Sequence, residues 1–99
     1  MIWPFPLLRN YPTSESLSSI FLEVANSKLE VLDTIRGRTT IRCPLGKITF
    51  WSDNPYYAWA SEGSIVYPSG KVVRWRNIMP SRWAVRQMVR AIDKARFKM

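Results

Sequence analysis

Ser27-Lys-Leu-Glu-Val-Leu-Asp-Thr-Ile-Arg-Gly37 is the stretch whose reading decides the fold. It carries two incompatible patterns. Val31, Leu32 and Ile35 continue in phase the apolar stripe of the residues before them, and Ser27 with Glu30 three positions on forms a capping-box signature that would start a second helix. Read this way, helix runs to about Arg36, unbroken or restarted near Asn26, and Gly37 supplies the stop. Read with a period of two, Leu29 and Val31 alternate with charged residues and positions 29–35 become a strand, but Leu32 then falls on the wrong face. The helical reading accommodates Leu32 and is the expectation.

Upstream, Leu17, Ile20, Phe21 and Val24 stand at i, i+3, i+4 and i+7 behind a Thr/Ser N-cap, with Glu15 in the first turn, so an amphipathic helix begins at Thr13. Before it, residues 1–12 hold three of the prolines plus Trp3, Phe5 and Tyr11. Proline keeps such a segment extended, and an arm packed over the core is expected, with docking on a partner as its functional alternative.

Downstream the pattern is β. The runs 39–43 and 47–51 flank Pro44-Leu-Gly46, and the runs 64–67 and 71–75 flank Pro68-Ser-Gly70; each is a β-branched or aromatic pair around a proline–glycine turn. Between the hairpins lies Ser52-Asp-Asn-Pro-Tyr-Tyr-Ala-Trp59, a turn composition followed by large aromatics. A last helix spans Pro80 or Ser81 to about Phe97, with Val85, Met88, Val89 and Ile92 as its apolar stripe. The predicted architecture is one α+β domain over residues 13–99: an N-terminal helix, an antiparallel sheet of about four strands built from two hairpins, and a C-terminal helix.

Composition narrows the function. The chain has no histidine and one cysteine, Cys43, which removes the commonest general base, the usual zinc sites and any internal disulfide. The seven carboxylates, Glu15, Glu23, Glu30, Asp33, Asp53, Glu62 and Asp93, are dispersed without metal-loop spacing. No catalytic, cofactor or metal site is therefore expected, and the protein is read as a binding protein and not an enzyme. The lone cysteine fits a reducing, cytoplasmic setting, and apolar runs of only a few residues argue against a membrane span.

The formal charge of +8 is unevenly placed: residues 1–35 carry two basic against four acidic groups, residues 36–99 thirteen against three. Within the basic part, Arg82, Arg86, Arg90 and Lys94 recur every four residues. Successive steps of four advance about 40° around a helix, so these cations form one slowly spiralling stripe. Like charges at this spacing disfavour an isolated helix by roughly 0.2–0.5 kcal/mol per pair. A solvated face relieved by the helix dipole and by Asp93 is the bland account; a track for phosphates, which guanidinium groups grip bidentately, is the functional one.

Arg74 and Arg76 supply a supporting patch, opposed across their strand to Val73 and Trp75, and Arg36, Arg38, Arg42 and Lys47 flank the first hairpin. Of the aromatics in this region, Trp51, Trp75, Tyr67 and Trp83 are expected mostly in the core, and Tyr56, Tyr57 and Trp59 are the candidate exposed anchors. The leading expectation is a DNA- or RNA-binding module. The alternative is an inhibitor or adaptor that docks on an acidic or nucleic-acid-handling protein surface, for example a phage- or mobile-element-encoded anti-defence (anti-CRISPR-like) protein.

Overall fold

The computed structural model describes residues 12–35, 37–51 and 61–97. Most of the expected N-terminal arm, and the candidate anchors Tyr56, Tyr57 and Trp59, lie outside the described residues. The order is α1 (Ser14–Ala25), β1 (Glu30–Ile35), β2 (Arg38–Cys43), β3 (Gly46–Trp51), β4 (Glu62–Val66), β5 (Val72–Arg76) and α2 (Arg82–Arg96). All neighbouring strands pair antiparallel, in the order β1-β2-β3-β4-β5. The α+β class, both helices and both expected hairpins are present, with one strand more.

That strand is β1, and it corrects the helical reading of residues 28–36. Helix α1 starts as expected: Thr13 Oγ1 accepts from Ser16 N–H at 3.0 Å while Ser16 Oγ accepts from Thr13 N–H at 2.9 Å, so serine takes the reciprocal role that glutamate usually fills. It stops at Ala25. Asn26 Nδ2 donates to the Leu22 carbonyl at 2.9 Å and Ser27 Oγ to the Val24 carbonyl at 2.8 Å. Ser27 therefore closes the first helix; it does not cap a second.

The chain then extends and pairs with β2. Val31 faces Ile41 and Asp33 faces Thr40, which leaves Leu32 as the extra residue of a β-bulge. A bulge shifts the alternation by one residue, and this is why Leu32 looks misplaced in a regular strand. Gly37, at φ 77°, turns the chain between β1 and β2 and is not a helix stop. The bulge and the edge position go together, because an irregular edge strand presents a poorer template for pairing with another chain.

Both helices cover one face of the sheet. Leu17, Phe21 and Val24 of α1 and Ala84, Val85, Met88 and Ile92 of α2 join Ile41, Ile48, Phe50, Ile65 and Trp75 in one buried core. Phe21 is its hub, 5.6 Å from Phe50 and 6.1 Å edge-on to Trp75 between ring centroids. Each such pair contributes about 0.5–1.5 kcal/mol beyond area burial. Gly63 faces Trp75 across the β4–β5 ladder, and a Cβ there would lie 2.6 Å from the indole and closer still to the Thr49 carbonyl oxygen. The indole and the β3 backbone together occupy the space a side chain would take.

Polar ties fix where α2 begins. Ser14 Oγ donates to the Met79 carbonyl at 2.5 Å, Ser18 Oγ accepts from Ser81 N–H at 2.7 Å, and Ser81 Oγ in turn accepts from Ala84 N–H at 3.1 Å as the N-cap. At the other end Arg96 Nη2 donates to Thr34 Oγ1 of β1 at 2.6 Å. With both ends anchored, the rotation of α2 about its own axis is set, and so is the face it turns to solvent.

Candidate functional site

Arg82, Arg86, Arg90 and Lys94 are all exposed, on the side of α2 away from Val85, Met88 and Ile92. None of the four makes an ion pair among the described residues, where the only pairs are Arg42 with Glu30 and Arg76 with Glu62. Lys94 lies in the last turn, where the helix dipole favours a cation; Arg82, Arg86 and Arg90 lie before it.

Two aromatic groups share this face. Trp83 is 61% exposed and Phe97, just past the helix end, 77% exposed. Trp83, Arg86, Arg90 and Phe97 stand at i, i+3, i+7 and i+14, one line along the helix. Trp83 is one of the aromatics expected mostly in the core, by the general habit of tryptophan. The signal against that was present, because at about 100° per residue Trp83 sits about 200° from Val85 and so opposite the apolar stripe.

Arg74 and Arg76 are exposed as well, with Trp75 between them buried, as the period of two requires. They do not join the helix stripe. Since both helices pack on the face that holds Trp75, the side chains of Arg74 and Arg76 project from the opposite face. The fold therefore separates the two basic groups onto opposite sides of a two-layer molecule.

The uncovered sheet face has its own character. Among the described residues, Arg38, Arg42, Lys47, Arg74 and Arg76 are its cations and Glu30, Asp33 and Glu62 its anions, by strand alternation and register. Glu30 stands directly across from Arg42 and Glu62 directly across from Arg76, each pair 3.9 Å apart. Arg38, Lys47 and Arg74 make no ion pair among the described residues. The Arg38 guanidinium lies over the Trp51 ring, 5.5 Å from its centroid. An open groove of about 400 Å³ runs past Arg38, Trp51, Thr49, Ser64, Arg74 and Arg76, with Glu62 on its wall.

Cys43 is buried, its Sγ 3.6 Å from the Gly46 carbonyl, in the position of a small core residue. Among the described residues no three His, Cys, Asp or Glu side chains cluster as metal ligands would, and no helix is long and apolar enough to cross a membrane. Compared with known proteins, the chain matches no family model, no curated protein and no solved structure.

Proposed function

We propose that the protein is a nucleic-acid-binding module that grips a phosphate backbone along the outer face of α2. The observation that supports this reading best is the row Arg82, Arg86, Arg90 and Lys94, exposed and making no ion pair among the described residues, with Asp93 the one carboxylate of α2. A helix rises about 6 Å in four residues, so the row offers evenly spaced, bidentate-capable cations over several turns. Such contacts neutralise phosphates and release counterions without reading bases. Trp83, at 61% exposure, adds a planar surface beside them.

Fluorescence anisotropy with labelled duplex DNA and duplex RNA over a salt series tests the reading. The expected log K falls linearly with log salt, by about 0.9 per duplex phosphate contacted. Arg86→Glu with Arg90→Glu should abolish most of the binding and flatten the slope. Affinity that barely changes with salt, or that survives the double reversal, would sink the proposal.

A second reading, an inhibitor or adaptor that docks on an acidic protein surface, is favoured by one observation. Trp83 and Phe97 are exposed among arginines, and tryptophan with arginine dominates protein hot spots. Its signature is a stoichiometric protein partner lost on Trp83→Ala, from a chain that retains no DNA or RNA.

A further inference from the structure

The sheet groove differs in kind from the helix stripe. It holds a flat group, Trp51, already layered with a guanidinium, Arg38. Beside that layer stand Arg74, with no ion pair among the described residues, and the hydroxyls of Thr49 and Ser64. Arg76 is oriented by Glu62, which faces it across the ladder. Among the described residues of the groove wall, Arg38, Arg74 and Arg76 outnumber Glu62, so the complement of this wall is an anion with a planar part.

We propose that this groove is a second nucleic-acid site, separate from α2, that takes an unpaired segment of single-stranded nucleic acid. A base extends the Arg38–Trp51 layer by stacking, and the adjoining phosphate is held by Arg74. A single strand fits where a duplex does not, because stacking on a side chain needs a base face that paired helices keep between neighbouring bases. Thr49 and Ser64 hydroxyls serve either as donors to phosphate or as partners for a base edge. With the groove on one side and the α2 stripe on the other, one molecule holds two strand segments at once. The inference rests on the nucleic-acid reading above, and adds to it the strand type and a second address.

The test measures binding of labelled oligo-dT and of its duplex with oligo-dA to the wild-type chain and to four variants: Trp51→Ala, Trp51→Tyr, Arg74→Ala, and Arg86→Glu with Arg90→Glu. Trp51→Ala is expected to weaken oligo-dT binding by about tenfold, the equivalent of one lost stacking contact, while Trp51→Tyr retains it. Arg74→Ala should weaken oligo-dT and leave the duplex unchanged; the helix reversal should remove the duplex and leave a residual oligo-dT affinity that depends on Trp51. Circular dichroism melting of each variant separates lost binding from lost folding. If Trp51→Ala and Arg74→Ala fold and bind oligo-dT like the wild type, the sheet site is wrong and the helix site stands. If neither probe binds the wild type, both readings fall. If Trp51→Ala instead abolishes capture of a protein partner and oligo-dT never binds, the groove is a protein site and the inference is overturned.

Discussion

The outer face of α2 and the uncovered face of the sheet are both basic, and they are built in opposite ways. On the sheet, Arg42 and Arg76 each stand directly across from a carboxylate, and opposite charges so placed contribute about 0.2–1 kcal/mol. On α2, each cation of the stripe has another cation as its neighbour four residues away and no carboxylate paired with it among the described residues. Those two cations support the fold that carries them, although Arg42 also faces Lys47 across the β2–β3 ladder, a like-charge pair. The helix cations oppose theirs, and what holds α2 in place is the core beneath it and the ties at Ser81 and Arg96. A face whose charges work against local stability is the better candidate for one shaped by a partner, because the partner's anions supply the missing complement.

Removing what separates the two faces should abolish both. Trp75 is 1% exposed between the layers, edge-on to Phe21 and over Gly63. Trp75→Ala should destabilise the protein by about 3–5 kcal/mol, a large share of the roughly 5–15 kcal/mol a domain has, and chemical denaturation would register it as a lower midpoint. Binding at both faces should fail together.

A smaller perturbation presses on the same indole from β4. Gly63→Ala brings a methyl to within 2.6 Å of the Trp75 indole and closer still to the Thr49 carbonyl oxygen, and the expected loss of about 1–3 kcal/mol from overpacking is again read from the denaturation midpoint.

The finest test sharpens the contrast through sign. Arg86→Gln removes two like-charge pairs, with Arg82 and with Arg90, and should stabilise the protein by about 0.4–1 kcal/mol at low salt, falling as salt is added. Arg76→Gln breaks the exposed pair with Glu62 and should destabilise by about 0.2–1 kcal/mol. Thermal melts of the two variants side by side should therefore move in opposite directions, and a shift of both in the same direction would dissolve the distinction.

Much of this architecture is legible residue by residue. Leu17, Phe21 and Val24 at helical spacing, the Pro44–Gly46 and Pro68–Gly70 turns, and the stripe Val85, Met88, Ile92 are local patterns, and each formed the element its period implies. The cation row on α2 is legible for the same reason, since the stripe that must be buried dictates what is left outside. The exposure of Trp83 is legible too, in its helical phase opposite Val85.

Residues 30–35 were not. Periodicity assumes one residue per step, and the bulge at Leu32 breaks that count, so a strand imitates the continuation of a helix. Ser27 compounds the ambiguity because its hydroxyl satisfies a helix start and a helix end equally well in sequence; the Val24 carbonyl decided between them.

By itself, then, the sequence determined the elements whose hydrogen bonds close within a few residues, the excess of positive charge beyond residue 36, and the row of cations along the last helix. Tertiary structure alone decided that 30–35 pairs with β2, and that Arg74 and Arg76 face away from Arg82, Arg86, Arg90 and Lys94. Pattern along a chain specifies which side of its own element a residue occupies. Which way that side points is set by the layer it packs against, and here one buried layer, centred on Phe21 and Trp75, turns two basic faces away from each other.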